Sequence, residues 1–280
     1  MTETLFISDM DGTLLDGDAR LSETTVELLN RAIADGALFT VATARTPATV
    51  DPLLSRIRDK RLPAIVMTGA AFWDFTRREY IDPKFISADT TRAIDTAFAE
   101  AGLFPFVYTL PDSRLLHVYH DGPSLNRAEQ KFYDDRRAMP LKRFHLHESV
   151  PAGERTSVVL YLAMGPIQQT VALARRLREE TDVAVSDYRD TYNPDLGLIE
   201  VFAPGVSKAS AVKELAARLG SPETIVFGDN LNDIDMMNAA DCAVAVANAL
   251  PEVKAAADIV IGPNTASSVA AFIADTQQKR

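Results

Sequence analysis

Cysteine is nearly absent. Cys242 stands alone in 280 residues, so no intramolecular disulfide can form, and an oxidising compartment gains no support. Histidine is also scarce: His117, His120, His145 and His147 have no cysteine or further ligand at zinc spacing, and His145-x-His147 alone makes no zinc centre. Apolar runs approaching the ~20 residues of a membrane helix are missing. The opening MTETLFISDMDGT lacks the basic start and long apolar stretch of a signal peptide. Positive charge is in deficit, 29 Lys and Arg against 39 Asp and Glu, for a net charge of −10. That balance argues against a general nucleic-acid binder, which would usually show a basic face, while leaving room for a small anionic substrate held by a few local cations. The expectation is a soluble cytoplasmic protein acting on a small molecule, with neither nucleic acid nor membrane as partner. No feature of the chain sets an oligomeric state.

What is present is a repeated alternation of short apolar runs and helical patterns. Leu5-Phe6-Ile7 reads as a buried parallel strand that stops at the polar turn Asp9-Met10-Asp11-Gly12-Thr13. Ser22 reads as a helix N-cap ahead of Val26, Leu29 and Ile33, with Gly36 as the stop. Further strands are predicted at 37–42 and 64–67, ending at Thr43-Ala44-Arg45 and Thr68-Gly69-Ala70. After the middle of the chain the pattern resumes, with a helix at 207–219, a strand at 224–227 and two short strands near 243–246 and 259–261. This is the signature of an α/β fold with a doubly wound parallel sheet. The middle, richer in aromatics and arginine, reads as an inserted α+β unit: hairpin strands near 105–109 and 115–120, a long strand at 157–164, a helix at 167–180 and a strand at 183–186. The predicted division is residues 1–82 and 191–280 for the core and 83–190 for the insert. The cluster Arg136, Arg137, Lys142 and Arg143 reads as a solvated face.

Ligands of open α/β sheets bind at the carboxyl ends of the strands. There the predicted core strands deliver Asp9 and Asp11, Thr43, Thr68, and Gly228-Asp229, a rim of carboxylates and hydroxyls. Hard oxygen donors of this kind suit Mg²⁺ beside a phosphate. Residues i and i+2 leaving a strand point the same way, so Asp9 and Asp11 can share one site, one attacking phosphorus and the other moving protons. Gly12 permits close backbone approach. Asp229 can complete the metal site, with Asn232 and Asp233 at the start of the next helix. A phosphate among carboxylates needs a cation. Lys208, opening a helix after Gly205-Val206-Ser207, is the best placed, and Arg45 is second.

Taken in order, Asp9-Met10-Asp11-Gly12-Thr13, Thr43-Ala44-Arg45, Gly205-Val206-Ser207-Lys208 and Gly228-Asp229 with Asn232-Asp233 resemble the motifs of the haloacid dehalogenase-like phosphatases. The similarity is to the Cof-type branch, and Ile199-Glu200-Val201-Phe202 ahead of Gly-Val-Ser-Lys matches it too. The resemblance implies a Rossmann-like core with a large α/β cap. It implies Asp9 as nucleophile, Asp11 as general acid and base, and Thr43 and Lys208 as phosphate holders. Mg²⁺ would be held by Asp9, the Asp11 carbonyl and Asp229 with support from Asp233, and Asn232 would lie near the phosphate. Met10, Gly12, Ala44, Arg45, Thr68 and Gly69 fall on the substrate-binding loops. Two positions depart from the pattern: Ala44 replaces the usual Gly, and Thr68-Gly69 replaces Asn-Gly, keeping a donor but losing the amide's reach.

The expected reaction is Mg²⁺-dependent hydrolysis of a small phosphorylated metabolite, a sugar phosphate first by resemblance, through an aspartyl-phosphate. Crowding by neighbouring carboxylates is expected to raise the pKa of Asp11. The cap is expected to select the substrate. A phosphomutase, or a non-catalytic metal- or phosphate-binding module, could be built from the same residues. The α+β insert argues against the first, and the intact Asp9, Asp11, Lys208 and Asp229 against the second.

Overall fold

The computed structural model describes residues 4–190 and 193–279. The chain divides into two units, Met1–Ile81 with Ser207–Arg280, and Asp82–Val206. The first unit opens with β1 (Thr4–Ser8), α1 (Glu23–Ala34), β2 (Leu38–Val41), α2 (Pro47–Leu53), β3 (Ala64–Val66), β4 (Ala71–Asp74) and β5 (Glu79–Ile81). The second holds α3 (Ala88–Ala101), β6 (Phe106–Thr109), β7 (Leu116–His120), α4 (Arg127–Arg136), β8 (Lys142–Leu146), β9 (Val158–Pro166), α5 (Ile167–Glu180), β10 (Ala184–Arg189) and β11 (Leu196–Phe202). The first unit closes with α6 (Lys208–Arg218), β12 (Glu223–Gly228), α7 (Ile234–Asn238), β13 (Cys242–Ala245), α8 (Pro251–Ala256), β14 (Ile259–Val260) and α9 (Ser268–Gln278).

Five strands of the first unit form an all-parallel sheet in the order β14-β13-β12-β1-β2. Within it β1 lies between β12 and β2, and every residue of β1 is buried; burial on both faces explains the unbroken apolar run Leu5-Phe6-Ile7. Ser22 caps α1 by accepting the Thr25 N–H at 3.0 Å. The strand predicted at 64–67 behaves differently from the others. Among the described residues it joins the parallel sheet through the single bridge Ala42–Ile65, and its ladder runs antiparallel to β4 in a three-stranded β3-β4-β5 sheet.

The second unit is a six-stranded sheet in the order β10-β11-β9-β6-β7-β8, antiparallel except for β7 and β8. α3 and α5 pack together on one face, where Phe98 stacks on Tyr161 at 5.8 Å. Phe132 of α4 meets Phe106 at 5.1 Å on the other face. The predicted core segment beginning at 191 starts on residues outside those described, and the strand after it settles where the second unit ends. Leu196–Phe202 hydrogen-bonds between β9 and β10, so the unit runs on to Val206. An apolar strand just before a core motif reads equally well in either sheet, which is why the expected boundary came too early. Lys142, expected on a solvated face, is 8% exposed.

Candidate active site

The carboxyl ends of β1, β2 and β12, with the N-terminus of α6, bring the motif residues of the first unit together. Register places Asp9 one residue beyond β1, its N–H donating to the Phe227 carbonyl at 2.9 Å, so β12 holds it in position. The chain then turns through Met10–Leu14, with Met10 wholly buried and Gly12 at φ +77°. A Cβ on Gly12 would collide with the Asp229 carboxylate, so glycine there serves both the turn and the close approach of the two loops.

Asp9 is 7% exposed and Lys208 2%. The Lys208 ammonium donates to Asp9 Oδ1 at 2.5 Å and to Asp233 Oδ1 at 2.7 Å. Asp233 uses its second oxygen to accept the backbone N–H groups of Asp229 at 3.0 Å and Asn230 at 3.2 Å. It therefore ties the loop after β12 to the lysine of α6. The Thr13 hydroxyl donates to Asp229 Oδ1 at 2.6 Å. Three carboxylates thus face one ammonium. Burial, with Asp233 and Asp229 adding to it against the opposing pull of Lys208, raises Asp9 to about 7. Burial likewise raises Asp229 to about 6, Thr13 opposing. For Lys208 burial works downward, but Asp9 and Asp233 outweigh it and hold the ammonium above its ordinary value.

One oxygen each from Asp9, Asp229 and Asp233 lies within 4.8 Å of the others. The donor set is all hard oxygen, and one lysine leaves it short of positive charge, so it fits Mg²⁺. With both Asp233 oxygens committed, Asp9 and Asp229 are the carboxylates free to ligate it. The Asp11 carboxylate stands outside this group, accepting from Arg45 Nε at 2.6 Å and Arg45 Nη2 at 2.5 Å on the exposed rim. The crowding expected at Asp11 falls on Asp9 and Asp229 instead. Arg45, expected to face phosphate, is engaged by Asp11.

Thr43 is buried, its hydroxyl accepting the Arg45 N–H at 3.2 Å, and Ala44 is exposed. The loops after β2 and β3 are laced together by backbone bonds: Met67 N–H to the Arg45 carbonyl and Thr68 N–H to the Thr43 carbonyl, each 3.0 Å. Gly69, expected to contact substrate, packs against the backbone of Ser207, where a Cβ would collide with the carbonyl. It seats the start of α6 and so positions Lys208. Asn232 is exposed on the turn before α7 and makes no hydrogen bond among the described residues; the cap there is Asn230, accepting the Leu231 N–H at 2.7 Å. Asn248, absent from the expected set, donates to the Gly12 carbonyl at 2.7 Å and accepts the Asn264 N–H at 2.9 Å. It follows β13, so asking what that strand delivers at its carboxyl end would have found it. A cavity of about 290 Å³ in the second unit, lined by residues such as Phe98, Leu103, Phe104 and Arg155, contains none of these motif residues.

Comparison with known proteins identifies the family. The family profile of the haloacid dehalogenase-like hydrolases matches residues 6–273. The pyridoxal phosphate phosphatase YbhA of Escherichia coli (strain K12) is 26% identical over 98% of both chains. The HMP-PP phosphatase of Cronobacter sakazakii is 27% identical over 88% of this chain and 85% of its own. Among solved structures, a haloacid dehalogenase-like hydrolase from Bacteroides thetaiotaomicron superposes with a TM-score of 0.78 at 21% identity, covering 98% of this chain and 99% of that one. A subclass IIB sugar phosphatase gives 0.74 at 24% identity, covering 98% and 99%.

Proposed function

The chain belongs to the haloacid dehalogenase-like hydrolase family and is an enzyme of its phosphatase branch, and from that premise we propose that it hydrolyses phosphate monoesters of small metabolites, with Mg²⁺ held by Asp9 and Asp229. The observation that carries the reading is the buried Asp9–Lys208–Asp233 cluster facing Asp229. It joins a carboxylate nucleophile to a cation that can neutralise a phosphoryl oxygen.

In the proposed sequence, an Asp9 carboxylate oxygen attacks phosphorus and the ester oxygen leaves, producing an aspartyl-phosphate. Phosphoryl transfer asks the protein chiefly for alignment and charge neutralisation. Lys208 supplies one fixed charge, and a bound Mg²⁺ supplies Lewis-acid stabilisation of the phosphoryl oxygens. Asp11 gives a proton to the departing alkoxide oxygen and takes one back from the water that opens the acyl phosphate. Arg45 orients Asp11 between turnovers, and its bidentate pair must loosen for Asp11 to carry a proton. Thr43 and the laced backbone around Thr68 complete the phosphate side.

Sugar phosphates are the first substrate class to test, supported by the resemblance of the motifs, with pyridoxal phosphate beside them because of the relative that hydrolyses it. Selectivity is proposed to reside in the inserted unit, so substitutions there should alter ratios among metabolites more than cleavage of p-nitrophenyl phosphate. No helix among the described residues is long and apolar enough to cross a membrane; with the lone cysteine this suits a cytoplasmic reaction. The deciding experiment measures phosphate release from p-nitrophenyl phosphate with Mg²⁺ and with excess chelator. Turnover should require the metal, and Asp229→Ala should demand far more of it. Full activity in chelator would remove Asp9 and Asp229 as a metal site.

A further inference from the structure

The second unit carries a cation that its own fold leaves unanswered. Lys142 opens β8 and its side chain is buried, yet its ammonium makes no hydrogen bond or ion pair among the described residues. Instead it lies 5.3 Å from the Tyr108 ring centroid and 5.9 Å from that of Phe144. Register explains the grouping. Val118 pairs with both Tyr108 and Phe144, and Lys142 stands two residues before Phe144, so all four side chains share one face. The same face continues through Leu160 and Leu162 to Glu200 of β11.

A second cation sits nearby. Arg136, in the last turn of α4, lies over the Phe132 ring at 4.2 Å and donates only to the Phe132 carbonyl, at 3.4 Å, with no carboxylate partner among the described residues. Its charge is felt at Lys142, at Tyr108 and at Tyr188. The hydroxyls of Tyr108 and Tyr188 likewise make no hydrogen bond among the described residues. Glu200 contributes negative charge near Tyr108 and Tyr188 and has interactions of its own. Two cations and two phenol donors therefore gather on one sheet face with no acceptor assigned to them.

An ammonium on a largely buried stem is poorly solvated, and a neighbouring guanidinium adds like-charge repulsion, so the pair is unfavourable without a counter-charge. Burial first and Arg136 second bring Lys142 down to about 7. An oxyanion placed between the two cations removes both penalties, because it accepts from Lys142 and Arg136 in charge-assisted hydrogen bonds. We propose that Lys142 and Arg136 form an anion-binding site on the second unit that takes a carboxylate or phosphate group of a small molecule, with Tyr108 and Tyr188 as auxiliary donors.

The test uses whole protein with ¹³C-labelled lysine side chains, the Lys142 resonance being identified by its loss in Lys142→Met. Malonate and inorganic phosphate are the probes, each titrated through the millimolar range. The expected result is a saturable shift of the Lys142 resonance and at least about a tenfold rise in its proton affinity, both weakened in Arg136→Gln. A Lys142 resonance indifferent to both probes overturns the site. Lys208 reports separately on phosphate reaching the phosphoryl-transfer cluster. Kinetics then identify the source of the anion. If it belongs to the substrate, Lys142→Met and Arg136→Gln lose about tenfold or more in kcat/KM toward a carboxylate-bearing monoester such as 3-phosphoglycerate and retain p-nitrophenyl phosphate cleavage. Equal behaviour toward the two substrates, with the resonance shift intact, assigns the site to a free anion. Should neither substrate be hydrolysed, the proposed reaction fails while the resonance titration still decides the anion site.

Discussion

Asp9 and Asp11 stand two residues apart, the first buried against Lys208 and the second exposed against Arg45, and their amide variants should fail in different ways. Asp9→Asn keeps the side chain's size but removes the attacking charge and a metal ligand. Turnover should fall on the order of 10³-fold or more, checked by steady-state rates on protein whose deamidation is excluded by mass spectrometry. The fold should survive, because burial already raises Asp9 to about 7; retention of a tenth of the activity would mean the nucleophile lies elsewhere. Asp11→Asn removes a proton carrier instead. An alkoxide needs a proton to leave and a nitrophenolate does not, so alkyl phosphates should lose ~10²–10⁴-fold in the first step and aryl phosphates far less. Asn cannot then activate water, so phosphorylated Asp9 should accumulate, seen in rapid mixing as a nitrophenolate burst near one per site. Equal losses on both substrates with no burst would take that role from Asp11.

The loop after β3 presents a conflict between side chain and backbone. Met67 and Thr68 both adopt left-handed conformations, at φ +48° and +57°, and Gly69 follows at +97°. A β-branched residue is poorly suited to that region, whereas Asn tolerates it. Thr68→Asn should therefore stabilise by about 0.5–1 kcal/mol, read from denaturant midpoints at unchanged slope, while Gly69→Ala should destabilise and also reduce turnover by displacing Ser207 and Lys208. The elements around this loop show what the sequence could disclose. Asp9, Thr43 and Asp229 were readable because each follows an apolar run, and the carboxyl edge of a parallel sheet makes position and chemistry coincide. Asn248 obeys the same rule, but it follows the short strand expected near 243–246, of which no chemistry was asked. Lys208 was readable as a cation at a helix start, but its burial was not, since that depends on Asp233, 25 residues away. Gly69 read as a substrate contact because its neighbour in space, Ser207, lies in a segment separated from it by the whole insert. The Asp11–Arg45 pair joins two motifs that were each legible, yet nothing in either specified the other as partner.

For the molecule as a whole, an unpaired buried lysine makes stability depend on alkaline pH. In the folded chain Lys142 titrates at about 7, against an ordinary value of 10.5. Between those values the unfolded chain holds a proton that the folded chain does not, so unfolding takes up a proton and lower pH favours it. The contribution of Lys142 to stability should therefore rise as pH increases from about 7 toward 10.5 and be constant below 7, where both states hold its proton. This window lies at or above the values of Asp9 and Asp229, so their titrations leave it largely clear. Lys142→Met keeps an unbranched apolar stem beneath Tyr108 and Phe144 and removes the linked proton. The variant should be more stable than the wild type by on the order of a few kcal/mol at pH 7, with the advantage shrinking toward zero by pH 10.5. Denaturant titrations of both proteins at the two pH values measure this directly. A constant difference across the range would mean that packing, and not the charge at Lys142, sets the effect.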